Sequence, residues 1–316
     1  MTQSGCRTLF VGAVDEGHRC LEALVARRER FVGIVTLNDA LAATTSGAVS
    51  FKAIARDAGC PLLKVADLNA STNVAKVAEL RPDLILVIGW TRLLGPALLR
   101  LPRLGAVGFH ASLLPRYRGR APVNWAIING EPVTGNTMFF LDEGVDTGDI
   151  IAQRRIAIAE DDTCATLYRK VAGAAIEMLE EQLPALKSGT APRRAQDHER
   201  ATVMPRRRPE DGLMDWRRTA RQLYNWVRAL THPYPGAFST LGGRRLFIWE
   251  AREAGPDPHG GTPGAIRGTE SSDLLVSSAS GLLALRSVQW EGCPEMPGAS
   301  LREHVGASFA SAGAGA

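Results

Sequence analysis

The chain has 316 residues, 45% of them hydrophobic and 22% charged, with 37 basic and 33 acidic side chains and a net charge of +4. These figures exclude a wholly disordered or collagen-like chain and favour two domains over one, and the basic excess is too small to imply nucleic acid by itself. No apolar run approaches the roughly 18 to 20 residues of a membrane span, and the opening MTQSGCRTLFVGAV lacks the basic start and longer apolar core of a secretory leader. Cys6, Cys20, Cys60, Cys164 and Cys293 are odd in number, scattered and never paired as CxxC, which argues against a disulfide framework or a zinc ribbon. A reducing, cytoplasmic setting is the expectation, with no membrane partner.

The first half alternates short apolar strands with amphipathic helices. Strands are expected at residues 8–14 and 31–36 with a helix at 16–27 between them, and further helices at 51–58 and 74–80. Residues 84–88, LILVI, form a continuous apolar run that suits a strand buried on both faces. Strands at 107–110 and 137–141 follow, separated by a helix near 122–129. Such alternation predicts an α/β fold, a Rossmann-like open, mostly parallel sheet. A long helix is expected at 166–183, ended by Pro184.

The rhythm then changes. Residues 188–212 are rich in Pro, Arg and Gly without periodicity and read as a linker. A helix at 217–230 leads into short strands at 237–241 and 245–250 around Gly242 and Gly243, then at 265–267, 273–276 and 281–289. These predict a smaller C-terminal β-barrel of OB-like form. The resulting division is 1–187, a linker at 188–212, a second domain at 213–305 with its leading helix, and a disordered tail at 306–316.

The opening VGAVDEGH tempts a dinucleotide reading, but it is not GxGxxG and reads as a tight strand-to-helix turn. The chemistry concentrates in residues 105–153. His110 lies at the C-terminal end of a predicted strand, the edge where open α/β sheets place ligands. The loop SLLPRYRGRAP after it would hold Arg116, Arg118 and Arg120 near the same edge. Asp146 follows within LDEGVDTGD, also at a strand end. A carboxylate beside His110 would favour its imidazolium and make it a usable general acid, so the residue types suit a transfer or hydrolysis site. Arg206, Arg207 and Arg208 suit an acidic ligand, RNA or a solvated linker, with the linker favoured, and His232 in THPYPG reads as structural. Trp90, Trp125, Trp216 and Trp226 suit either a stacked base or pterin or simple core packing. No His/Cys/Asp/Glu cluster has metal-ligand spacing, so no metal is expected.

The stretches GFHASLLPRYRGRAPVNWAIINGEPVTG and DEGVDTGDIIAQ, continued by PEDGLMDWRRTARQLYNWVRALTHPYPGAF, resemble the tetrahydrofolate-dependent formyltransferases over about residues 7–300. Within that family YRGRAPVNW and DGLMDW look closer to nucleotide-sugar N-formyltransferases, such as the UDP-4-amino-4-deoxy-L-arabinose type, than to methionyl-tRNA formyltransferase. The resemblance implies transfer of a formyl group from N10-formyltetrahydrofolate to a primary amine. His110 and Asp146 match the histidine and aspartate of the family's catalytic trio, while its asparagine position holds Gly108. The family's folate-binding stretches fall on Arg92, Leu93 and Leu94, on Ser112, Leu113, Leu114 and Pro115, on Arg120, and on Asp142, Glu143, Gly144 and Val145.

Loss of one oxyanion donor typically costs about 10² to 10³ in rate, so Gly108 leaves open either reduced activity or a non-catalytic binder. For the acceptor, a nucleotide-linked amino sugar is expected, because residues 37–51, where tRNA-acting relatives insert a basic loop, contain no Lys or Arg. Transfer RNA is then an unexpected partner, and an amine of specialised metabolism a further alternative. The second domain would serve as scaffold or as the contact of a homodimer.

Overall fold

The computed structural model describes residues 5–310, so the end of the expected tail, residues 311–316, lies outside the described residues. In chain order the elements are β1 (Thr8–Val11), α1 (Asp15–Ala26), β2 (Phe31–Leu37), α2 (Asp39–Ala42), α3 (Lys52–Asp57), β3 (Leu62–Val65), α4 (Ser71–Glu79), β4 (Leu84–Val87) and α5 (Pro96–Leu99). There follow β5 (Ala106–His110), β6 (Arg118–Gly119), α6 (Pro122–Ile128), β7 (Val133–Phe140), β8 (Ile150–Ala157), α7 (Cys164–Ser188) and β9 (Val203–Met204). The remainder holds α8 (Ala220–Leu230), β10 (Ala237–Leu241), β11 (Arg244–Glu253), β12 (Ile266–Glu270), β13 (Asp273–Ser277), β14 (Leu282–Trp290) and β15 (Glu295–Pro297). The chain divides into two compact units, Met1–Pro122 with Val133–Ala157 and Tyr168–Pro205, and Val123–Pro132 with Ile158–Leu167 and Arg206–Ala316.

The first unit is built on a sheet of seven strands in the order β3-β2-β1-β4-β5-β7-β8. Its first five strands run parallel, and β7 and β8 add antiparallel pairs. The LILVI run explains itself here. Leu84, Leu86 and Ile88 enter one core with Met178, Leu179 and Leu183 of α7, and Ile85 and Val87 enter a second core on the opposite face. Alternation with both faces buried is what a central strand of such a sheet requires. The same alternation on β5 sends Val107 into the first core and leaves Gly108 and His110 on the other face.

Two expectations about this unit need correction. Pro184 does not end the long helix, since α7 continues to Ser188. The missing amide strands only the carbonyl of Glu180, an exposed residue, while buried Leu183 and Leu186 hold the last turn to the core. Strand β8 went unforeseen because Gln153, Arg154 and Arg155 interrupt its apolar residues. Such charge suits an edge strand, and β8 is the sheet's last.

The second unit carries a six-stranded antiparallel sheet in the order β10-β11-β14-β13-β12, with β15 on β14. Trp216 is fully buried and donates from Nε1 to Ser239 Oγ at 2.9 Å. Residues 306–310, expected to be disordered, are held to the sheet by hydrogen bonds. Gly306 N and Ile266 N donate to Ile266 O and Ala307 O, and Ala310 N donates to Thr240 O of β10, so one segment touches both ends of the strand order. Phe309 is 3% exposed and stacks on Trp216 at 5.0 Å, an apolar anchor absent from the small residues after it.

Candidate active site

A cleft of about 390 Å³ opens at the C-terminal edge of β4 and β5. Its lining includes Gly108, His110, Arg92, Leu93, Leu94, Arg120, Asp142, Glu143, Gly144, Val145 and Asp146. The structure thus gathers sequence-selected residues that lie 54 positions apart (146 minus 92). Ser112, Leu113, Leu114 and Pro115 do not line it. Ser112 and Leu114 are buried and brace the loop: Ser112 O accepts from Thr137 Oγ1 at 2.7 Å, and Leu114 N donates to the same hydroxyl at 3.2 Å.

His110, 7% exposed, forms the floor. Its Nε2 lies 2.6 Å from the carbonyl oxygen of Tyr117 and its Nδ1 lies 3.5 Å from Asp146 Oδ2. A carbonyl oxygen can only accept, so Nε2 carries a hydrogen and Nδ1 is the nitrogen free to exchange a proton. Asp146 Oδ2 also accepts from Gly119 N at 2.8 Å, which ties the carboxylate to β6. The backbone at both partners is unusual: Tyr117 and Asp146 have φ of 59° and 55°, in the left-handed region that non-glycine residues avoid. Such geometry persists only where surrounding contacts over-determine it.

Gly108 sits beside this pair with a neighbour in place of a side chain. A Cβ at residue 108 would come within 2.5 Å of Leu141 Cδ2. The isobutyl group of Leu141 therefore occupies the space that a larger residue 108 would need. Gly148 is a stricter case, since a Cβ there would lie 1.8 Å from the carbonyl oxygen of Phe140, a backbone atom with no freedom to yield.

The rim is different in character. Leu93 and Val145 are 58% and 46% exposed. Asn69 fixes the Leu93–Gly95 turn, accepting from Gly95 N at 2.6 Å and donating to Leu93 O at 3.0 Å. Arg92 donates to Ala66 O and Arg120 to Thr91 O, so both guanidinium groups are anchored at the cleft with N–H groups to spare. Trp90 also lines the cleft, and its buried Nε1 has no hydrogen-bond partner.

Three further sequence candidates resolve. Arg118 is buried, not a solvent-facing loop arginine. In the second unit Arg207 is no solvated linker residue. It lies 5.0 Å from the Trp125 ring and 4.6 Å from the Trp226 ring, and burial lowers its pKa from the usual arginine value. His232 stacks on Trp249 at 3.8 Å and pairs with Glu295 at 2.8 Å, as a structural histidine would. Among the described residues no group of three or more His, Cys, Asp or Glu is arranged to hold a metal, and no helix is long and apolar enough to cross a membrane. The cysteines are free.

An α/β sheet with a histidine–carboxylate pair at its ligand-binding edge defines a site for group transfer or hydrolysis, and comparison narrows the class. Residues 15–183 match the family model "Formyl transferase" and residues 207–304 match "Formyl transferase, C-terminal domain". The chain is 37% identical over 291 residues to the methionyl-tRNA formyltransferase of Geobacter metallireducens, covering 92% of each chain. In fold it is similar to HypX from Aquifex aeolicus in complex with tetrahydrofolic acid (TM-score 0.68, 20% identity, 95% of this chain and 47% of that one). It is likewise similar to the N-formyltransferase from Helicobacter canadensis in complex with folinic acid and dTDP-3-aminofucose (TM-score 0.65, 15% identity, 89% and 98% covered). The chain belongs to the formyl transferase family and is a formyltransferase, as the motifs around His110 and Asp146 implied.

Proposed function

We propose that the chain transfers a formyl group from N10-formyltetrahydrofolate to the amine of methionyl-tRNA. The observation that carries the chemistry is the His110–Asp146 pair, one proton-exchanging nitrogen facing one carboxylate on the cleft floor. The amine nitrogen bonds to the formyl carbon, the bond from that carbon to N10 breaks, the amine gives up a proton and N10 gains one. Nδ1 of protonated His110 supplies the proton to N10 and then takes up the one the amine releases, while Asp146 orients the ring and balances its charge. The cleft suits the donor: exposed Leu93 and Val145 offer apolar contact to flat rings, and Arg92 and Arg120 offer charge to carboxylates.

The acceptor rests on the relative from Geobacter metallireducens, matched along nearly the whole of both chains. This runs against the expectation that tRNA is an unlikely partner, which had rested on one loop free of Lys and Arg. That loop, residues 37–51, is still a specific observation in favour of a second reading, a nucleotide-linked amino sugar. Mass spectrometry decides between them. Purified protein with N10-formyltetrahydrofolate is offered charged initiator tRNA and a panel of nucleotide-linked amino sugars. A formyl group on methionine, formed with steep salt dependence, is the expected result. Formylation of a sugar amine with the tRNA untouched would replace the acceptor, and no formyl transfer to any amine would overturn the reading.

A further inference from the structure

Most of the stretch that reads as a linker, residues 188–205, lies instead within the first unit, against the catalytic floor. Arg194 pairs with Ile150 by two backbone hydrogen bonds, and β9 pairs in parallel with β6. Between these anchors Gln196, 6% exposed, spends its whole side chain. Its Nε2 donates to the carbonyl oxygens of Asp146 at 2.9 Å and Gly148 at 2.7 Å. Its Oε1 accepts from Nε and Nη2 of the buried Arg118, at 3.2 and 2.6 Å. A few residues on, Thr202 Oγ1 accepts from Tyr117 N at 2.8 Å.

We propose that Gln196 is a positioning residue for formyl transfer, acting through Asp146 and His110, with Thr202 as its second anchor. Asp146 and Tyr117, both non-glycine residues with left-handed backbone, are held by this strap, Asp146 at its carbonyl by Gln196 and Tyr117 at its amide by Thr202. Tyr117 in turn offers the carbonyl that fixes the His110 ring. Arg118, gripped by Gln196, carries β6 and hence the Gly119 amide that holds the Asp146 carboxylate. The strap thus reaches both members of the pair, Asp146 through Gln196 and His110 through Thr202 and Tyr117. Residue 196 lies in the gap between the two family matches, 15–183 and 207–304, so neither match speaks for it. The inference rests on the chain being a formyltransferase and not on which amine it uses.

The test is Gln196→Met, which keeps the volume and removes every hydrogen bond. Positioning requires kcat to fall at least about 10-fold with both KM values within about 3-fold, since small misplacements of reacting groups act on the chemical step. The same change in an Asp146→Asn background should cost less than about 3-fold, because residues that act as a unit are not additive. Independently of any acceptor, the ring nitrogen signals of His110 in two-bond ¹H–¹⁵N spectra, assigned with His110→Ala, should move in Gln196→Met. Thr202→Val, at an exposed position, carries the same readouts should the first variant fold poorly. Equal loss of kcat in both backgrounds, a fall in kcat of less than about 10-fold, or unmoved His110 signals would overturn the proposal. Failure of the parent protein to formylate any amine would count against the functional reading, and the spectra would still decide this one.

Discussion

The floor and the rim of the cleft are built on opposite rules. His110 on the floor, and Arg118 and Gln196 that support it from outside the cleft lining, are each 7% exposed or less, and each has named partners within hydrogen-bonding distance. On the rim Leu93 and Val145 stand half in solvent, and Glu143 pairs with Arg100 at 3.5 Å through side chains that are 69% and 71% exposed. A surface pair of that kind contributes about 0 to 1 kcal/mol, and the chain around it can adapt to a ligand. Buried partners leave the floor no such freedom. The contrast teaches where rate and affinity reside: floor changes should reach kcat, and rim changes should reach KM.

The largest expected effect breaks the floor directly. His110→Ala and Asp146→Asn should each lower kcat by about 10² to 10⁴, the usual span for a positioned acid–base group. The double variant should be little worse than the weaker single one, measured in the same steady-state assay. Multiplying losses would mean that the two act separately.

Away from the cleft, Glu16 shows what happens when a polar side chain lacks strong partners. Burial pushes its pKa up from 4.5 to about 7, with Asn136 Nδ2 as a weak partner at 3.3 Å. Asn136 Oδ1 is itself buried and unpartnered. A carboxyl whose folded pKa is raised stabilises fully below its unfolded value, and that stability is lost as pH rises through about 7. Thermal melts should therefore show the parent losing up to about 3 kcal/mol between pH 4.5 and pH 7 or above relative to Glu16→Gln, whose curve should be flatter. Parallel curves would contradict it.

Gly108 tests the packing side of the floor. Gly108→Asn must displace Leu141 and should cost about 1 to 3 kcal/mol, the usual price of overpacking, with much of it recovered in Gly108→Asn/Leu141→Ala. Only the double variant leaves the new amide room to reach a formyl oxygen, so any gain in kcat should appear there. The smallest effect belongs to the rim. Val145→Ser should raise the donor KM by a few-fold, on the order of one exposed apolar contact, and leave kcat alone.

The sheet was legible because its signals are local. LILVI alternates between two cores, and the His110 and Asp146 motifs fall at strand ends that the alternation already places. Strand β8 was hidden by its own arginines, which an edge strand accommodates and a periodicity count penalises. The strap was hidden for a different reason. Gln196 and Thr202 act through long-range hydrogen bonds, among them those to Asp146 and Tyr117, 50 and 85 positions away, and no pattern of apolar spacing records such contacts. Arg207 between two indoles was obscured likewise, since a run of three arginines carries no trace of the rings that enclose its middle member.

The most direct measurement is the single-turnover rate at saturating donor, taken side by side for the parent, His110→Ala, Asp146→Asn, Leu93→Ser and Val145→Ser. The account requires the two floor variants to be slower by at least about 100-fold while the two rim variants keep the parent rate once the donor is saturating. Floor variants that turn over at the parent rate, or rim variants as slow as the floor ones, would contradict it.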